Sequence, residues 1–202
     1  TGEKHVLALW EGATENEIAC KAMLENLVSR GLKPDRSRLF IIDGSKGLRA
    51  AIRSHFGRRA LVQRCQVHKV RNVIGHLPEE RHADVRAAMR EAYKSTKVET
   101  AKRLLNNLAR SLQKKYPSAA ASLREGLDET LTVMGLSLSA SLTRSLSTTN
   151  PVENLNGRIR ATTRRVRRWG DGTMILRWVL VGVLEAERGF RRLKGHKDMK
   201  VL

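Results

Sequence analysis

Between His5 and Arg64 short apolar runs alternate with helical stretches, and beyond that point the strand pattern stops. This change of period constrains the fold most. His5 to Trp10 reads as a strand. A capping box over Thr14 to Glu17 opens a helix running to about Arg30, with Ile18, Met23, Leu24, Leu27 and Val28 on its apolar side, and Gly31 ends it. Leu39-Phe40-Ile41-Ile42 is rich in β-branched and aromatic residues and bounded by turn formers, which predicts a buried strand. Gly47 to Phe56 reads as the next helix and Ala60 to Arg64 as another strand. The resulting β-α-β-α-β order over residues 5–64 predicts an α/β layer with parallel strands.

From Val67 to Leu146 only helical patterns appear, over Val67–Leu77, Glu79–Tyr93, Lys97–Tyr116 and Pro117–Met134. Leu104, Leu105, Leu108 and Leu112 line one expected apolar face. Ser137 to Thr149 is rich in Ser and Thr and reads as a connector. Two closing helices are expected over Pro151–Trp169 and Thr173–Leu193, separated by Gly170-Asp171-Gly172. Trp169 and Trp178 are expected to anchor the core. The chain thus divides into residues 1–66 with α/β character, 67–149 as a helical insertion and connector, and 150–202 as C-terminal helices.

Two carboxylates stand where chemistry is expected. Asp43 ends the Leu39–Ile42 strand, the edge at which open α/β sheets place ligands. With Gly44 it also fits a simple turn. Glu153 enters a helix that then carries Arg158, Arg160, Arg164, Arg165, Arg167 and Arg168 with no acid among them. With Asn150 as N-cap and Pro151 at the first helical position, its carboxylate also suits a capping role. An acid entering an arginine-rich helix suits a metal ion held beside a phosphate backbone.

Charge narrows the partner class. The net charge is +19, and it is uneven: residues 1–43 hold six Lys/Arg against seven Asp/Glu, while 44–149 hold twenty against eight and 150–202 thirteen against five. Such a field favours a polyanion, most simply nucleic acid. The arginines from Arg158 to Arg168, with Lys46 and Arg71, are the candidate phosphate contacts. No apolar run reaches the about eighteen residues a membrane span needs. Two cysteines give no disulfide framework, which fits a reducing cytoplasm.

Cys65 and His68 follow the Ala60–Arg64 strand three residues apart, a spacing that lets them face together. A structural zinc needs about four ligands, and Cys20, His55, His76 and His82 are not spaced as a second pair. Cys65 and His68 are therefore expected to pack beside the site.

These motifs taken together resemble the Mutator-type transposases of bacterial insertion sequences. The resemblance rests on Asp43-Gly44 after a strand, Cys65-x-x-His68 with Arg71-Asn72 after the next strand, and Asn150-x-x-Glu153-x-x-Asn156 after a helical stretch. Leu7 to Asn16, Arg168-Trp169, Asp171-Gly172, Met174, Arg177-Trp178 and Phe190-Arg191-Arg192 agree in order. It implies a ribonuclease-H-like core with a large helical insertion and an Asp-Asp-Glu triad. Asp43 would be its second acid and Glu153 its third, holding two Mg²⁺ (or Mn²⁺) ions for cleavage of element ends and their joining to target DNA. The implied setting is a bacterial cytoplasm, at the nucleoid, in a homo-oligomer.

The first acid of that triad has no match here, and Asp35 lies in a Pro-containing loop that does not fit it. The resemblance also implies two further strands between His5–Trp10 and the strand ending at Asp43. The expectation is a truncated core that is inactive on its own and marginally folded. The alternatives are a non-catalytic DNA-binding or inhibitory fragment and, from another class, a basic RNA-associated scaffold.

Overall fold

A computed structural model of the chain describes residues 1–10, 16–164, 166, 168 and 170–201. The fold is mixed α/β and mostly helical. Strands β1 (Arg38–Ile42) and β2 (Ala60–Arg64) pair in parallel, with Arg38 opposite Ala60 and Ile42 opposite Arg64. Helix α2 (Lys46–Phe56) is the crossover that parallel neighbours require.

Strand alternation gives β1 two cores. Phe40 and Ile42 face α1 (Glu17–Ser29) and α2, in a cluster with Cys20, Leu24, Ala51, Ile52, Phe56, Ala60 and Val62. The rings of Phe40 and Phe56 meet at 4.9 Å between centroids. Leu39 and Ile41 point the other way, against Val133, Leu142 and Leu146. Gly47 lets α2 abut the start of α1, since a Cβ there would lie 2.9 Å from the Glu17 backbone nitrogen.

Helices α3 (Gln66–Ile74), α4 (His82–Lys94), α5 (Val98–Leu112) and α6 (Pro117–Arg124) build a separate core around Val73, Met89, Leu105, Leu112 and Leu123. Ala101, Leu105, Ala109 and Leu112 form the buried face of α5, and Leu104 is left 39% exposed one step around the helix. The helical pattern over Pro117–Met134 breaks after Arg124. Gly126 adopts a positive φ of 61°, and the Arg64 guanidinium occupies the space its side chain would need. Two 3₁₀ turns follow, at Asp128–Thr130 and Met134–Leu136.

A buried polar seam joins this helical core to the sheet. Gln63, fully buried, donates to the Thr130 carbonyl at 2.8 Å and accepts from the Val133 N–H at 2.8 Å. The Thr132 hydroxyl donates to the Val62 carbonyl. Arg64 Nη1 pairs with Glu125 Oε2 at 2.7 Å, and Arg49 Nε with Glu129 Oε1 at 2.6 Å. Lys69, 4% exposed, donates to the Ser122 and Glu125 carbonyls. Burial holds the Lys69 ammonium below its ordinary pKa, partly offset by Glu125.

Several expectations need correction. His5 to Trp10 is not a strand. Its groups are taken by other partners: the Val6 N–H donates to Glu187 Oε1 and the Leu7 carbonyl accepts from Arg30, so no ladder forms. The Ser/Thr-rich connector contains a helix, α7 (Ala140–Leu146), because Leu142 and Leu146 need burial against β1. Helix α8 (Asn150–Thr163) has Thr149, not Asn150, as its N-cap. Helix α9 (Gly172–Arg188) leaves Trp178 38% exposed, so it does not anchor the core. The cap of α1 is Asn16, whose side chain accepts from the Ala19 N–H. Thr14 of the expected capping box, and Trp169, lie outside the described residues.

Candidate functional site

The site grows from the C-terminal edge of the sheet. Asp43 is the first residue past β1, and Gly44 turns the chain with a φ of 119° that side chains rarely adopt. One Asp43 carboxylate oxygen accepts from the Ser45 N–H at 3.1 Å, and the Ser45 hydroxyl then caps α2 through the Leu48 N–H. The turn reading of Asp43 therefore holds, and the carboxyl group still remains exposed.

Cys65 is the first residue past β2. Its N–H donates to the Ile42 carbonyl at 2.7 Å, which extends the parallel ladder by one step. Asp43 and Cys65 thus stand at the ends of neighbouring strands, which are spaced roughly 4.8 Å apart.

Glu153 reaches the same edge from a distant part of the sequence. The Gln66 N–H donates to the Ser147 carbonyl at 3.0 Å, and the Thr149 N–H donates to Cys65 Sγ at 3.4 Å. These bonds tie the start of α3 to the start of α8, whose first turn carries Glu153. Glu153 Oε1 accepts from the Thr149 hydroxyl at 3.2 Å and lies 3.6 Å from His68 Nδ1. Arg71 Nη1 is 3.9 Å from Glu153 Oε2. The carboxylate is thus held by side chains.

Cys65, His68 and Glu153 therefore come together, as the pairing of Cys65 with His68 led one to expect for two of them. Their ligand atoms all lie within 4.8 Å of one another, and Asp43 is not part of that trio. Cys65 is fully buried, whereas the side chains of His68 and Glu153 are 27% and 37% exposed.

Cations lie on the elements that follow or carry the two acids. Lys46 is exposed at the start of α2, three residues beyond Asp43. Arg158 and Arg160 are exposed and follow Glu153 along α8 at about 1.5 Å per residue, and the exposed Arg164 is its C-cap. Arg168 is exposed beyond the helix, and Arg165 and Arg167 lie outside the described residues. Arg71, which faces Glu153, also lines a cleft of about 370 Å³ with Gln66, Val70, Arg86, Arg90 and Tyr93, among others.

Sequence reasoning missed Thr149, Arg86 and Arg90. Thr149 sits in a Ser/Thr-rich run with nothing to single it out except its place before Asn150-Pro151. Arg86 and Arg90 are a helical i, i+4 pair whose facing toward the cleft depends on how α4 packs. No helix among the described residues is long and apolar enough to cross a membrane.

Residues 1–192 match the family described as Transposase, Mutator family. The chain is 30% identical over 201 residues to a probable transposase for an insertion sequence element of Corynebacterium diphtheriae, covering 97% of this chain and 57% of that protein. It is 30% identical to the transposase for insertion sequence element IST2 of Acidithiobacillus ferrooxidans, covering 82% of this chain and 55% of that one. It is 32% identical over 170 residues to the transposase for insertion sequence element IS256 in transposon Tn4001 of Staphylococcus aureus, covering 82% and 42%. The chain spans roughly half the length of these relatives.

Proposed function

Since the chain belongs to the Mutator family of transposases, we propose that it serves a DNA transposase of an insertion sequence, and that Asp43 and Glu153 are two of its three catalytic acids. On this reading the sheet and its flanking helices are part of a ribonuclease-H-like core, and residues 67–149 are a helical insertion within it. The substrates are the element ends and target DNA, handled by a homo-oligomer. The single observation that supports this best is the delivery of Asp43 and Glu153, 110 positions apart in the numbering, to one edge of a parallel sheet.

The donor chemistry fits divalent magnesium or manganese. Asp43 and Glu153 offer carboxylate oxygens at an open edge, the ligand type such hard cations take. Two ions held by these acids would supply charge stabilisation at phosphorus and activate an oxygen nucleophile for in-line displacement. The protein's own groups prepare that site. Thr149 and His68 fix one oxygen of Glu153, and Arg71 faces the other. Lys46, Arg158, Arg160, Arg164, Arg165, Arg167 and Arg168 hold the phosphate backbone, and Arg86 and Arg90 extend that surface across the cleft.

The test uses the protein of the complete reading frame and labelled DNA carrying the element ends. Asp43→Asn and Glu153→Gln should each lower metal-dependent cleavage and joining by about 10³-fold or more while DNA binding persists. Wild-type rates in either variant would remove that acid from the mechanism. Persistent binding with no cleavage by the wild-type protein would favour a non-catalytic DNA-binding role.

A further inference from the structure

We infer that Cys65, His68 and Glu153 form a binding site for one thiophilic divalent cation of the zinc class. They are the one trio of His, Cys, Asp or Glu ligand atoms within 4.8 Å of one another among the described residues. The inference stands on these three side chains and does not require Glu153 to act in phosphoryl transfer.

What distinguishes the trio from ordinary packing is where its electron pairs point. All three groups face Thr149. Its N–H donates to Cys65 Sγ at 3.4 Å, its hydroxyl donates to Glu153 Oε1 at 3.2 Å, and the hydroxyl oxygen lies 3.3 Å from His68 Nδ1. A hydroxyl has one proton, here given to Glu153, so with the imidazole proton on Nε2 the His68 Nδ1 lone pair has no donor from Thr149. A divalent cation at the convergence point satisfies a thiolate, an imidazole and a carboxylate together.

One pair already has the spacing such an ion demands, and the ligand atoms of all three residues lie within 4.8 Å of one another. Metal–ligand distances of about 2.0–2.3 Å place tetrahedral ligands about 3.3–3.7 Å apart, and His68 Nδ1 already lies 3.6 Å from Glu153 Oε1. The supports are rigid. Cys65 is locked to β1 through Ile42 and sits at the N-cap of α3, His68 stands one turn further on, and Glu153 occupies the first turn of α8. Burial shields the sulfur, while the part-exposed His68 and Glu153 leave a fourth position open to water.

The ligand set also selects the ion. Thiolate and imidazole suit zinc and disfavour magnesium, which takes oxygen ligands. The trio and the proposed magnesium site therefore share Glu153 but differ in their other donors.

Titration with Co²⁺, followed by absorbance, tests this. The expected result is one equivalent bound, with a thiolate-to-cobalt charge-transfer band that Zn²⁺ abolishes and excess Mg²⁺ does not. Cys65→Ser should remove the band, and Cys20→Ser, which alters the only other cysteine in the chain, should retain it. His68→Ala should weaken Co²⁺ binding by about 10-fold or more. His68 is part-exposed, so this variant keeps the question open to test if Cys65→Ser fails to fold. Absence of the band in the wild-type protein, its loss in Cys20→Ser, or unchanged affinity in folded His68→Ala would each overturn the site.

Discussion

Arg64 Nη2 donates a 2.8 Å hydrogen bond to the carbonyl of Gly44, the residue that turns the chain just past Asp43. The same guanidinium takes Glu125 in a two-pronged contact, Nη1 to Oε2 at 2.7 Å and Nη2 to Oε1 at 3.1 Å. The turn that presents Asp43 and the docking of the helical core on the sheet are therefore parts of one network.

Arg64→Met removes that network's centre. The buried stem is replaced, but the Gly44 carbonyl and Glu125 lose their donor. Glu125 is half-exposed and rehydrates, and Glu129 keeps Arg49 and Arg53, so the cost falls toward the lower end for breaking a buried pair. We expect a loss of about 3 kcal/mol in urea unfolding. A change within about 0.5 kcal/mol would show that the contact is an incidental surface pair.

Glu125 also sets an acid limit. The Arg64 hydrogen bond holds its carboxyl below the ordinary 4.5. A carboxylate depressed in the folded state contributes stability that is complete above its unfolded value and lost as pH falls through its folded value. The wild-type protein should therefore lose stability as pH drops below about 4.5, and Glu125→Gln should flatten that part of the profile. Lys69 gives a slope of the same sign in an alkaline window: its lowered value penalises folding at neutral pH, and the penalty is relieved as pH rises toward 10.5. Equal acid slopes in the two proteins would detach Glu125 from the effect.

Much of this was legible in the sequence, and the exceptions have physical reasons. β1, α2 and β2 announce themselves through short apolar runs and turn residues, and Cys65-x-x-His68 announces itself by helical spacing. The segment His5–Trp10 has strand composition but finds Glu187 and Arg30 before any strand neighbour. Composition specifies which side chains want burial, while ladder formation also needs a partner at the right edge. The α7 helix fails the opposite way, hidden by serines and threonines although two leucines carry its burial. Thr149 was invisible because its role depends on Cys65 and His68, more than eighty positions away.

Thr149→Val tests that hub within the proposed reaction. The valine keeps the backbone N–H for Cys65 and removes the hydroxyl from Glu153. Folding should change by about 1 kcal/mol or less, as for one lost hydrogen bond. Cleavage by the complete protein should fall by about 10-fold at unchanged DNA affinity, the range for a residue orienting a metal ligand, and Thr149→Ser should restore it. A loss shared equally by binding and turnover would mark Thr149 as structural only.

The arginines of α8 make a separate electrostatic prediction. Arg158 and Arg160 are exposed on the helix that starts at Glu153. Each that neutralises a phosphate contributes about one unit to the slope of log affinity against log salt. Replacing both with alanine should weaken DNA binding uniformly across sequences and flatten the slope by about two units. An unchanged slope would mean that these residues only solvate the helix.

The last prediction concerns how α8 is held. Gly182, buried in α9, faces Ile159 of α8 so closely that a Cβ would lie 3.0 Å from the Ile159 Cα. Alanine normally favours a helix over glycine by about 1 kcal/mol. Here the added methyl meets backbone, which yields only if the two helices separate. Overpacking of this kind costs about 1–3 kcal/mol and should exceed the gain in propensity. Gly182→Ala should therefore lower the unfolding midpoint, and because α8 carries Glu153, it should also reduce cleavage by the complete protein. A stabilised variant with full activity would show that α8 and α9 slide apart without cost to the site.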